Sequence, residues 1–134
     1  MKYSLDTNAC IRYMNGRAPL LRQKISTILA SDIVVCSIVR AELAYGAAKS
    51  HTPIRSAEKQ AKFLYPYGTL GFTDECVQIF GEVRATLGRQ GTPIGPYDLQ
   101  IAVIALAYDL ILVTGNVREF GRVPNLKIEN WEVE

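Results

Sequence analysis

The chain has 134 residues, a mass of 14.9 kDa, 49 % hydrophobic and 21 % charged residues, and a formal net charge of +2. That is one domain of ordinary size, able to bury a real core, with a soluble globular composition. No apolar run approaches the roughly 18 residues of a membrane span, no secretory leader pattern opens the chain, and so mild a charge permits an anionic partner without demanding one.

The first five residues read as a short strand, and a carboxylate, Asp6, stands where that strand should end. Thr7 and Asn8 can each cap a helix, and Ala9 to Met14 continues in a helical pattern. In an open α/β sheet, ligands bind outside the carboxyl ends of the strands, near the point where strand order reverses, and the first strand commonly lies there. An acid at that place points into the crevice. Asn15-Gly16-Arg17 makes a turn, Pro19 suits a first helical position, and Leu20 to Leu29 is amphipathic, with Leu21, Ile25, Ile28 and Leu29 inward. Asp32 to Cys36 is a compact β-branched run, hence a buried strand, and Ser37 caps a helix reaching about Lys49.

Thr52-Pro53 starts a charge-rich, half-exposed helix, Ile54 to Leu64, which Tyr65-Pro66-Tyr67-Gly68 ends. Thr69 to Phe72 reads as a short strand. Thr73 caps a long helix, Asp74 to about Arg89, with Val77, Phe80, Val83 and Leu87 on one side. After the loop Gly91 to Gly95, Pro96 opens a helix to Tyr108 whose run from Ile101 to Leu106 is buried on most sides. Ile111 to Thr114 is a buried strand, Gly115-Asn116 a turn, Val117 to Phe120 a short helix, and Leu126 to Ile128 a last strand before Trp131. Strands alternating with helices imply βαβ units: an α/β fold with a mostly parallel central sheet covered on both faces. No repeat or interdomain linker divides residues 1–134.

Cys10, Cys36 and Cys76 have no C-x-x-C spacing and sit among apolar residues, which suits buried free thiols in a reducing cytoplasm. The only histidine, His51, lies in a loop. One histidine and scattered cysteines argue against a zinc site, and a Ser-His-Asp hydrolase has no G-x-S-x-G elbow to partner that histidine.

Five residues can carry chemistry. Asp6 is either a helix cap or a ligand at the crevice. Glu42 has Ile38, Val39, Tyr45 and Gly46 as its helical neighbours, an apolar or small face, so it is buried in a salt bridge or looks into a cavity. Asp98 stands in the first turn of the Pro96 helix, where the helix dipole favours an acid, yet it shares a face with Ile101, Ala102 and Ala105. Asn116 and Glu119 can form a capping box. Taken together, the acids cannot all stay ionised in one crevice without a cation. Oxygen donors without His or Cys fit Mg²⁺ or Mn²⁺, and an open site of that kind suits metal-assisted attack on a phosphodiester. Nucleic acid is the natural substrate, with Arg12, Arg17, Arg40, Arg118 and Arg122 available for backbone contacts around the rim.

Four motifs, in order and over nearly the whole chain, carry a family resemblance. They are Leu5-Asp6-Thr7-Asn8; Ala41-Glu42-Leu43-x-Tyr45-Gly46-Ala47; Gly95-Pro96-Tyr97-Asp98-x-x-Ile101-Ala102; and Asn116-x-Arg118-Glu119-Phe120, followed by Val123-Pro124 and Glu129-Asn130-Trp131. The chain resembles the PIN-domain ribonuclease toxins of the VapC type. The resemblance implies a PIN-like α/β/α sandwich with the first strand central. It also implies a Mg²⁺-dependent endoribonuclease, with Mn²⁺ able to substitute, that cleaves RNA, tRNA being the expected class, and arrests growth. It further implies a cytoplasmic homodimer paired with a VapB-type antitoxin in a heterotetramer or larger assembly, touching operator DNA only through that antitoxin. Carried over, Asp6 and Asp98 bind the metal, Glu42 completes the acidic cluster, and Asn116 with Glu119 supports metal-bound water. Many PIN domains have aspartate at the position of Asn116, so this side of the site is poorer in charge and Glu119 takes on part of its role.

The rival readings lack their residues. A receiver-type phosphoacceptor domain wants an Asp after its third strand and a Lys after its fifth, which Gly71-Phe72-Thr73 and Lys127-Ile128-Glu129 do not supply in frame. A dehalogenase-type phosphatase wants Asp-x-Asp after the first strand, where Asn8 stands. A silent PIN-like module that only binds RNA would not need Asp6, Glu42 and Asp98.

Overall fold

In a computed structural model describing residues 1–134, four short strands form the spine: β1 (Tyr3–Leu5), β2 (Ile33–Val34), β3 (Ile111–Val113) and β4 (Lys127–Glu129). Their order is β2-β1-β3-β4 and every pairing is parallel. Ser4 stands level with Val34 on one side and Leu112 on the other, so β1 is an interior strand. The step from β1 to β2 and the step from β2 to β3 run in opposite directions across the sheet. Right-handed crossovers therefore send their helices to opposite faces, and the order reverses at β1.

The first crossover carries α1 (Thr7–Met14) and α2 (Pro19–Ser26). The second carries α3 (Ser37–Ala48), α4 (Pro53–Leu64), α5 (Asp74–Arg89) and α6 (Pro96–Ala107), and the short α7 (Val117–Phe120) links β3 to β4. Proline opens α2, α4 and α6, where its missing N–H is not needed. The central helix α6 is buried from Ile101 to Ala105 without interruption, as its apolar run predicts. A single core cluster of 28 buried residues spans the strands and most of the helices. The three cysteines are buried and free, and no helix is long and apolar enough to cross a membrane.

Several local expectations are corrected. Leu29 is 71 % exposed, because α2 stops at Ser26 and the chain turns before that residue could reach the core. Val77 is 59 % exposed, while α5 buries Cys76, Val83 and Leu87. The stripe is thus rotated from the one read off the sequence. Ser37 is the first residue of α3 rather than its cap, a position held by Cys36 without a side-chain bond. Thr69 to Phe72 forms no strand: Gly68 makes one bridge to Val34, and the carbonyl of Leu70 accepts from Ser37 N–H, but no ladder follows. The run Asp32 to Cys36 contributes only Ile33 and Val34 to the sheet, although Val35 and Cys36 are fully buried.

Candidate active site

Asp6 follows β1 directly and caps the first helix from the edge of the crevice. Its backbone is extended (φ −79°, ψ 172°), and its Oδ1 accepts the N–H of Ala9 at 2.7 Å, capping α1. It is buried at the end of the interior strand where the sheet order reverses. Burial raises its pKa above the usual carboxylate value, the neighbouring Thr114 hydroxyl and the Ala9 N–H pull it back down, and the charges of Glu132 and Glu42 raise it further.

Glu42 reaches the same edge from α3. Its Oε1 accepts the hydroxyl of Thr7, the residue after Asp6, at 2.6 Å. It is half-buried and lines a cavity of about 650 Å³ together with Thr7, Asn8, Tyr45, Lys49 and Tyr97. The salt-bridge alternative is ruled out. The ion pairs of the molecule join the N-terminus to Asp32, Arg12 to Glu132 and Lys127 to Asp109, and none includes Glu42. The nearby arginine on the same helix, Arg40, instead donates to the carbonyls of Val35, Tyr67 and Gly68, which pins the loop after α4.

Asp98, half-buried in the first turn of α6, has its carboxyl pushed up to about 6. Burial is the main cause, followed by Glu119, Glu42 and Asp6. Glu119, Glu42 and Asp6, from three other segments, thus stand within electrostatic reach of Asp98. Asn116 caps α7, with its Oδ1 accepting the N–H of Glu119 at 3.4 Å. The return half of the expected capping box is altered: Glu119 Oε2 accepts from the Asn116 side-chain Nδ2 at 2.9 Å, not from its backbone. The other oxygen, Oε1, accepts the N–H of Gly95 at 3.4 Å, tying α7 to the loop that leads into α6 and Asp98.

All five residues named from the sequence therefore gather at this edge. Three more belong with them. Thr7 holds Glu42, Thr114 lies beside Asp6 and accepts the N–H of Asn116 at 2.9 Å, and Glu132 comes in from the C-terminal tail. Thr114 could have been suspected as the polar end of an apolar strand. Nothing in the sequence marks Glu132.

The donors are all hard oxygens, three of them carboxylates that raise the pKa of Asp98, with no cation paired to Asp6, Glu42, Asp98 or Glu119. That chemistry fits a divalent cation of the magnesium type, which binds through one or two carboxylates and keeps several waters. No three acids stand close enough together to enclose an ion by themselves.

Comparison with known proteins fits this geometry. The PIN domain family model matches residues 3–126. The tRNA(fMet)-specific endonuclease VapC of Salmonella typhimurium is 37 % identical over 131 residues, 98 % of each chain. The chain belongs to the VapC family of PIN-domain ribonucleases. Among solved structures, VapBC2 of Rickettsia felis bound to a promoter DNA fragment matches with a TM-score of 0.91 and 38 % identity, over 98 % of this chain and 99 % of that one. VapBC-1 of nontypeable Haemophilus influenzae matches with a TM-score of 0.90 and 32 % identity, over 99 % and 100 %. The parallel sheet with β1 inside is thus the VapC arrangement that the motifs imply.

Proposed function

We propose that this VapC-family chain is the toxin of a toxin–antitoxin pair: an Mg²⁺-dependent endoribonuclease acting on tRNA and silenced by a VapB-type antitoxin. The observation that carries it is the meeting of Asp6, Glu42, Asp98 and Glu119 at the switch point of the sheet without a compensating cation. The antitoxin partner and its link to promoter DNA are supported by the VapBC complexes that the fold matches, and the tRNA substrate by the name of the Salmonella relative.

Asp6 and Asp98 would hold the Mg²⁺, and Mn²⁺ could take its place. A bound cation of this kind lowers the pKa of water and offsets the charge that builds on a phosphate under attack. The chain's own residues supply orientation. Asp6 is immobilised by the Ala9 N–H, and Glu42 by the Thr7 hydroxyl. Asn116 and Gly95 fix Glu119, so its carboxylate can accept from a water in the crevice rather than swing into solvent. The hydrolysis then needs a water oxygen to form the new bond to phosphorus while the bond to the leaving ribose oxygen breaks.

The test is cleavage of bulk tRNA by the purified chain. Fragments should appear with Mg²⁺ or Mn²⁺ and disappear with EDTA, and expression alone should arrest bacterial growth, with relief by Asp6→Ala at equal protein level. Cleavage that persists in EDTA would remove the metal from the mechanism, and intact tRNA under every condition would remove the ribonuclease reading.

A further inference from the structure

Four acids at one edge repel the phosphates they are meant to cleave, so a substrate needs a cation held close by. The arginines of the chain differ sharply in availability, Arg17 and Arg118 on the rim making no side-chain hydrogen bond or ion pair. Arg40 is engaged by three carbonyls, and Arg122 donates to the carbonyl of Pro93. Arg22 donates to the carbonyl of Tyr13 and lies over the Tyr13 ring. Arg12, on α1, is held in a different way. Its Nε–H donates to Glu132, its half-exposed guanidinium otherwise meets no protein acceptor, and both Nη groups stay open. A carboxylate on Nε leaves the outer fork of an arginine free, in the planar geometry that matches a phosphate.

Glu132 reaches this place through a gap. A Cβ built on Gly115 would collide with Glu132 Oε2, so the carboxylate occupies the space a side chain would take. Gly115 sits between Thr114, which lies beside Asp6, and Asn116, which caps α7. The Glu132 side chain is only 14 % exposed, and its backbone N–H is fixed by Asn130 Oδ1 at 2.9 Å. Arg12 is thereby anchored one carboxylate away from the loop that frames the acids.

We propose that Arg12 grips an RNA phosphate beside the acid cluster, and that Glu132, seated in the space left by Gly115, is the positioning residue that aims it. The inference rests on the ribonuclease reading above and adds a phosphate-binding residue to it. Glu132 acts through Arg12 and needs only an acceptor oxygen to do so. A side chain at position 115 crowds Oε2, the other oxygen of that carboxylate, so the group has to turn and carry Oε1 away from the Arg12 Nε–H. This ties substrate grip to a glycine that makes no contact of its own.

The experiment measures binding of labelled bulk tRNA by fluorescence anisotropy in an Asp98→Asn background, so that bound RNA is not cut, from about 50 to about 200 mM salt. Arg12→Ala should weaken binding about ten-fold and make the salt dependence shallower by roughly 0.7 to 0.9, the signature of one lost phosphate contact. Glu132→Ala and Gly115→Ala should each weaken binding by a smaller factor, and neither should add to Arg12→Ala. Glu132→Gln, which keeps an acceptor for Nε–H, should restore most of what Glu132→Ala loses. Unchanged affinity and salt slope in Arg12→Ala would overturn the inference. So would tighter binding in Glu132→Ala, since the bridge would then be holding Arg12 back from RNA. Binding losses that track a lowered melting temperature would reduce the bridge to a structural strut. A parent chain that neither binds nor cuts tRNA removes the ribonuclease reading as well, whereas normal cutting by Arg12→Ala in the otherwise native chain removes this inference alone.

Discussion

At the edge where the strands begin, Asp32 lies 3.9 Å from the N-terminal ammonium and Asp109 lies 3.0 Å from Lys127 Nζ. At the edge where they end, Asp6, Glu42, Asp98 and Glu119 lie together, and none of them has a cation. The first pair of acids is solvated and compensated, so each contributes little and perturbs nothing. The second group is partly or wholly desolvated and mutually repulsive, so the folded chain carries unfavourable charge there until something positive arrives. The same residue type on one sheet is structural trim at one edge and a functional liability at the other. What differs is the compensation built around it.

The largest expected effect comes from erasing that contrast at its most buried point. Asp6→Ala and Asp98→Asn should each lower tRNA cleavage more than about 100-fold, as removal of a group acting on the reacting centre does. Asp109→Asn should leave the rate of bulk tRNA cleavage within about two-fold. Equal losses at both edges would mean that the acids matter only through net charge.

Glu42→Gln sharpens the comparison, because Glu42 is held by a hydroxyl and not by a cation. Glutamine keeps the acceptor for Thr7 and removes a charge from the repulsive group. The metal-free variant should melt at the same temperature or slightly higher, while cleavage is lost and Mg²⁺ raises its melting temperature less than it does for the parent. A group paired in a buried salt bridge would behave in the opposite way, with a loss of about 3–5 kcal/mol on removal of one partner.

A pH series on the metal-free chain probes the same liability. The Asp98 carboxyl is raised from 3.8 to about 6, so the folded chain binds more protons than the unfolded chain between those values. Stability should therefore fall as pH rises through that window and level off above it. The raised Asp6 carboxyl acts in the same direction. Asp98→Asn should flatten the melting curve across the window, and Mg²⁺ should cancel the decline at its upper end, where the carboxylate is free to bind. A metal-free protein that grows steadily more stable from pH 4 to 6 would contradict the raised value.

The smallest effect belongs to the compensated edge. Lys127→Ala breaks a bridge whose side chains are 61 % and 84 % exposed, and it should change stability by no more than about 0.5 kcal/mol. Denaturant melts should be nearly superimposable with those of the parent.

Much of this was legible from periodicity and punctuation. The apolar run of α6 was buried as read, three prolines opened helices as read, and Asp6, Asp98 and the Asn116–Glu119 pair stood where those rules put them. Local chemistry suffices there, because a strand end, a helix start and a cap are defined by a few consecutive residues. It did not suffice for Val77 and Leu29: a 3.6-residue period fixes relative positions around a helix but not the neighbour that covers them, and α2 ended too early for Leu29 to have one. The site divides in the same way. The four motifs named five residues that the fold brings to one edge, but only the tertiary structure set Thr114 beside Asp6, gave Glu42 to Thr7 instead of Arg40, and brought Glu132 across the chain to Arg12 over the bare backbone of Gly115. Those contacts join residues up to 120 positions apart, and a distance of that kind is decided by how the sheet is ordered and how the helices pack, which no local pattern encodes.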